Sequence, residues 1–260
     1  MLESSWGLDG VPLDNDKYGW LVEASTGLPA SQAQKVTLVE LPFVDGARPV
    51  RGGRTSSVTA ISVWVSNPDT GRSVERLHER VSILQALCEQ AQTLSFSHGK
   101  YAKNTYESVV YSIECSTPEI VGLGVAGVKV KLQITHAPGW RLAGSEVRTR
   151  VGEGVNHLSA FAGSGVVQDA TLEFKGTASE VEITSEADGT SLKLTGVTGS
   201  SKVDVGVRKV SGVTGWDYAP AGFLQVASKI TADGVMPVLR LKVSNSRGFE
   251  CWLKGAQWLR

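Results

Sequence analysis

Apolar and polar positions alternate with period two over much of this chain, the mark of β-strands with one wet face. Between Val58 and Val65, Ile61, Val63 and Val65 line one side, while Val58, Ala60 and Trp64 line the other. Apolar residues on both sides predict a strand covered on both faces. A second strand runs from Val109 to Cys115, with Val109, Tyr111, Ile113 and Cys115 alternating with Val110, Ser112 and Glu114. In a third, Val128, Val130, Leu132 and Ile134 alternate with Lys129, Lys131, Gln133 and Thr135. Only Ser73 to Thr93 follows the helical period, through Leu77, Val81, Leu84, Leu87 or Cys88, and Ala91. Its apolar stripe is one face wide and should pack on a sheet, which gives the first half an α+β character.

Beyond Trp140 the pattern shortens. Strands are predicted at Thr171–Lys175, Glu180–Ser185, Ser191–Thr195, Lys202–Lys209, Leu224–Ile230 and Val238–Ser244. The turns between them include Asp188-Gly189 and Asp233-Gly234, where glycine supplies the positive φ of a tight hairpin. Successive short strands without a helix predict an antiparallel sandwich or jelly roll. The small residues Ala143-Gly144-Ser145 mark the boundary, dividing the chain into domains 1–143 and 144–260.

Composition narrows the functional classes. The 260 residues carry 26 Lys+Arg and 26 Asp+Glu, a formal net charge of zero. Residues 1–143 hold 13 basic against 14 acidic side chains, and residues 144–260 hold 13 against 12. Neither half has the basic excess that drives binding to nucleic acid or to anionic lipid. Glycine is over-represented, 29 of 260, as expected of many tight turns. Cys88, Cys115 and Cys251 are scattered without metal-ligand spacing and read as small buried hydrophobes in a reducing compartment. The opening stretch has no basic and apolar leader pattern, and no apolar run is long enough to span a bilayer. These features predict a protein made and kept in the cytosol, or leaving it without a cleaved signal.

Candidate chemistry is sparse. Gly122, Gly124 and Gly127 have dinucleotide-fingerprint spacing but lead into a strand, where the fingerprint requires a helix. They read as a glycine-rich bend. His78, His98, His136 and His157 form no metal-ligand pair, and no nucleophile elbow or P-loop is present, so neither an enzyme nor a cofactor is expected. Arg51-Gly-Gly-Arg54, with Arg48 upstream, reads as a hairpin tip or as arginines reaching a neighbouring subunit. A loop from Phe43 to Arg54 is long enough to need a binding partner to order it, which makes Phe43, Arg48, Arg51 and Arg54 candidate subunit contacts. Among seven tryptophans, Trp216 and Trp252 lie with Tyr218 in the second half. The three are candidates for stacking on a saccharide or partner, against the alternative of anchoring the sandwich ends.

The order of elements carries a resemblance. Trp6, Gly10 and Tyr18-Gly-Trp20 precede a strand, the Phe43–Arg54 loop, the strand around Trp64 and the helix. Leu94-Ser-Phe96-Ser-His-Gly99, two strands and His136-Ala-Pro-Gly-Trp140 follow. This layout resembles the N-terminal domain of distal tail proteins of long-tailed, non-contractile bacteriophages, a split β-barrel with a flanking helix. A following sandwich resembles their galectin-like second domain in type. The resemblance implies a homohexameric ring in the virion tail tip, assembled in the host cytoplasm. Such a ring joins the tail tube protein to tail-tip or baseplate hub proteins, with DNA only passing through its lumen and no membrane insertion. Alternatives are a carbohydrate-binding module, a tube protein and a tail-fibre hub.

Overall fold

The computed structural model describes residues 5–23, 34–40, 47–67, 74–98, 104–120, 126–219 and 223–259, with the side chains of 34–40, 47–54 and 120 outside the description. The chain divides into two compact units, Met1–Ala143 and Gly144–Arg260. Among the described residues it is mainly β, with one α-helix.

Unit 1 runs β1 (Ser5–Leu8), β2 (Val11–Pro12), β3 (Trp20–Val22), β4 (Gln34–Glu40), β5 (Ala47–Arg54), β6 (Ser57–Ser66), α1 (Val74–Gln90), β7 (Thr93–Ser97), β8 (Thr105–Cys115), β9 (Glu119–Ile120), β10 (Gly127–His136) and β11 (Trp140–Leu142). Its sheet has the order β2-β1-β7-β8-β10-β6-β3 and forms a split barrel, with α1 packed against β6 and β8. Alternation explains the interior of this barrel. Ile61, Val63 and Val65 pair with Leu132, Val130 and Val128, and all six are buried. The helix buries Leu77, Val81, Leu84 and Cys88, the predicted stripe. It ends at Gln90, earlier than the periodicity suggests, because the Asp9 carboxylate accepts hydrogen bonds from the Gln92 and Thr93 amides and draws the chain into β7.

Two expectations fail on the outer face of this sheet. Val58 is 56% exposed and Ala60 is also open, while Trp64 on the same side is half-buried, so the second face of β6 is covered only in part. In β8 the register shifts opposite Thr135 and His136, so Ser112 pairs with Thr135 and Val110 with His136. The extra residue, Tyr111, is a β-bulge that reverses which alternate positions point inward. Ile113 and Cys115 stay on the face of buried Ile134 and Leu132, whereas Val109 and Tyr111 are 58% and 60% exposed.

Unit 2 runs β12 (Val147–Val151), β13 (Gly154–His157), β14 (Thr171–Ser185), β15 (Ser191–Val197), β16 (Lys202–Asp204), β17 (Lys209–Ser211), β18 (Gly215–Tyr218), β19 (Ser228–Thr231), β20 (Gly234–Ser244), β21 (Arg247–Gly255) and β22 (Trp258–Leu259). The two strands predicted at Thr171–Lys175 and Glu180–Ser185 are one, the fifteen-residue β14. The strand predicted over Lys202–Lys209 is instead two short ones, β16 and β17, and that over Leu224–Ile230 is shifted to β19.

Registers along β14 disclose the construction. On one edge β21 pairs with residues 171–177 and β20 with residues 180–185, so the two lie end to end. On the other edge β16 and β15 do the same. Outside them, β12 and β13 flank β21 and β20, while β17 and β18 flank β16 and β15. Five double-length strands are thus folded across one line into two sheets that share a core, which includes Leu172, Phe174 and Leu253 from one half and Val181, Leu194 and Leu241 from the other. Gly176 turns that corner in β14. Its φ is +70°, and a Cβ there would stand 2.2 Å from the Gly248 carbonyl oxygen, so only glycine fits.

Candidate functional site

The arginine segment is a strand and not a loop. Ala47–Arg54 forms β5, which pairs with β4 in a two-stranded sheet separate from the others. Arg48 lies opposite Val39, beside the Glu40–Ala47 pair, Arg51 opposite Val36, and Arg54 opposite Gln34 at the other end. Arg51 and Arg54 are therefore not at a hairpin tip, and the extra residue of this pair falls at Gly52-Gly53. Phe43 lies outside the described residues, as do Gly122 and Gly124; Gly127 opens β10.

The three aromatic candidates of unit 2 do not converge. Trp216 and Tyr218 lie on β18, an edge strand, opposite buried Leu194 and Leu192, so they extend the inner face past the margin of the sandwich. There they are 48% and 50% exposed and stack with centroids 5.6 Å apart and planes at 28°. Phe223 closes one side, edge-on to Trp216 at 6.0 Å. Trp252 stands on the opposite face of β21 and across the fold line. Its partner on β14 is Glu173, eight residues (181 − 173) from Val181, which pairs with Leu194. The Arg148 guanidinium lies 4.8 Å from the Trp252 ring, and the indole Nε1–H donates to Glu250. Trp252 belongs to a ladder of surface ion pairs with Arg148–Glu173 and Arg150–Glu250 as rungs.

The polar knot around His136 was not legible in the sequence. The ring is 1% exposed and lies 5.0 Å from that of Trp140. Its Nε2 stands 3.0 Å from Thr59 Oγ1, and its Nδ1 stands 3.0 Å from both Ser108 Oγ and the Ala137 carbonyl. Ser108 Oγ also donates to the Ala137 carbonyl. A neutral ring with the proton on Nδ1 satisfies these partners, and burial holds the imidazole below its ordinary pKa. Ser108 is itself buried, so this hydroxyl–imidazole pair is sealed from substrate and acts as a structural clasp between β6, β8 and β10. Three tryptophans of unit 1 are anchors: Trp20 donates to the Arg80 carbonyl, while Trp6 and Trp140 form one aromatic cluster with Phe96.

Two of the three cysteines meet. The thiols of Cys88 on α1 and Cys115 on β8 are near enough to shift each other's ionisation, and Cys115 is half-buried where a fully buried thiol was expected. Among the described residues no group of three or more His, Cys, Asp and Glu could hold a metal ion. No described helix is long and apolar enough to cross a membrane.

Against known structures, the crystal structure of SPP1 Dit, a hub adsorption protein of phages that infect Gram-positive bacteria, aligns over 99% of this chain and 100% of its own, with TM-score 0.60 and 15% identity. The chain has the Dit fold. The phage P2 baseplate in its activated conformation, with Ca or with Sr, aligns over 97% of this chain and 98% of its own at 9% identity, with TM-scores of 0.36 and 0.37, too low to assign a fold. No family model matches the sequence, and no curated protein matches it.

Proposed function

We propose that this protein is a structural component of a bacteriophage virion, a distal tail subunit forming a homohexameric ring between the tail tube and the tail tip. The observation that carries this reading is the end-to-end match to the Dit fold, covering both units. The charge pattern supports it, because two near-neutral halves would surround DNA without gripping it. The β4–β5 hairpin supports it too. A two-stranded ribbon is marginal alone in water, and this one carries three arginines suited to a different patch on the next copy, as the heterologous contacts of a ring require. In this reading unit 1 forms the ring, and the protein is a structural and non-catalytic part of the virion.

Light scattering and negative-stain microscopy of the purified protein test the ring: sixfold particles are expected, and a strictly monomeric species across concentration and salt would overturn it. Quantitative mass spectrometry of the virion separates a single ring from a stacked tube protein by copy number. A second reading of unit 2, saccharide binding, draws on the exposed Trp216–Tyr218 stack, since paired aromatic faces suit sugar rings. Titration with cell-wall saccharides tests it, and no binding alongside normal host adsorption of Trp216→Ala virions would remove it.

A further inference from the structure

The geometry points to Cys88 and Cys115 as a disulfide-forming pair, a site of reversible oxidation by low-molecular-weight disulfides that ties α1 to β8. Cys88 closes the apolar stripe of the helix, one turn beyond Leu84, and faces the sheet. Cys115 is the last residue of β8 and pairs with Leu132, which is buried, so its side chain is on the inner face. The Tyr111 bulge is what brings it there: without the extra residue, inward positions at the start of β8 would place Cys115 outside. The helix packs on β8, so both thiols face the same interface, near enough for each to shift the other's ionisation.

The pair is asymmetric in the way thiol–disulfide exchange requires. Cys115 is half-buried and so within reach of a small reagent, whereas Cys88 and Cys251 are buried. Its interaction with Cys88 pulls the Cys115 thiol down to about 7, against burial and the Glu89 charge. The same interaction, burial and the charges of Cys115 and Glu89 push Cys88 up. Cys115 is thus the attacking thiolate and Cys88 the resolving thiol. The Cys115 thiolate attacks one sulfur of oxidised glutathione and expels a glutathione thiolate, leaving a mixed disulfide. Cys88 passes its proton to that thiolate and attacks Cys115 Sγ, expelling the second glutathione. Two protein thiols are oxidised, and one glutathione disulfide is reduced to two thiols. Cys251, alone in the core of unit 2 and raised to about 12 by burial, has no partner for this reaction.

The test uses the full chain, folded, at pH 7. After incubation with oxidised glutathione and acid quenching, intact mass spectrometry should show the loss of two hydrogen atoms, and peptide mapping should join Cys88 to Cys115 with Cys251 still a thiol. Before oxidation, Cys115 should react with iodoacetamide at least tenfold faster than Cys251, since its thiol is half-buried and lowered by its neighbour, whereas Cys251 is buried and raised. Cys88→Ser should stop at a stable glutathione adduct on Cys115. Cys115→Ser should give no adduct at all on the folded chain. A lasting adduct on wild-type Cys115, a bond to Cys251 or to a second chain, or two thiols still free after oxidation would overturn the proposal.

Discussion

Acidification should loosen unit 1 through His136. The buried ring binds its three partners, two hydroxyls and a carbonyl, as a neutral group, and burial lowers its pKa from the ordinary 6.5. A second proton on Nε2 would meet Thr59 Oγ1, which can rotate to accept it, so the main cost is a charge held out of water. Because the folded value lies below the unfolded one, the unfolded chain binds more protons between them. This contribution is therefore present in full above about pH 6.5 and is lost as pH falls toward the folded value, with a slope of up to about 1.4 kcal/mol per pH unit. Urea denaturation from pH 8 to 5.5, followed by tryptophan fluorescence, reads it through Trp140 beside the ring. His136→Gln should lower stability at pH 8 by about 1–3 kcal/mol through its lost buried hydrogen bonds. Its curve should then converge on that of the wild type as pH falls. Parallel curves, or a wild type that gains on the variant in acid, would refute the assignment of a neutral clasp.

Gly176→Ala puts a side chain at φ +70° and against the Gly248 carbonyl, and should cost about 2 kcal/mol or more in the thermal or urea unfolding of unit 2. Leu194→Ala, at a fully buried position of the same core, should cost about 2–5 kcal/mol by the same measurement. Trp216→Ala should change stability by less than about 1 kcal/mol, because the ring is half exposed, while any saccharide affinity of unit 2 disappears in calorimetric titration. Arg51→Glu with Arg54→Glu should leave the monomer's circular dichroism unchanged and abolish ring assembly in light scattering.

Much of the local structure could be read from the chain. The stripe from Leu77 to Cys88 makes α1, and the alternation from Val128 to Ile134 makes β10, because side-chain period reports backbone conformation directly. Asp188-Gly189 and Asp233-Gly234 sit in turns, with Gly189 and Gly234 at positive φ, since that geometry is a property of a few neighbouring residues. The glycine surplus also pointed to turns, but its structural use includes the fold line of unit 2. There Gly176 lets one strand continue through a corner that sequence reads as a gap between two. Whether a glycine ends a strand or bends it depends on the partners β20, β21, β15 and β16, which run past it on both edges.

Tertiary structure alone decided which faces meet. Val109 and Tyr111 continue the same alternation as Ile113 and Cys115, yet the two pairs end on opposite sides of the sheet because β10 sets the register and a single extra residue reverses it. The same reversal carries Cys115 to Cys88, 27 residues away in sequence (115 − 88). It is pairing across strands that separates Trp252 from Trp216 and Tyr218 and encloses His136 between Thr59 and Ser108. Periodicity is a local quantity and names the elements of this protein; register and strand bending are pairwise quantities, and they place its thiols, its aromatic stack and its buried imidazole.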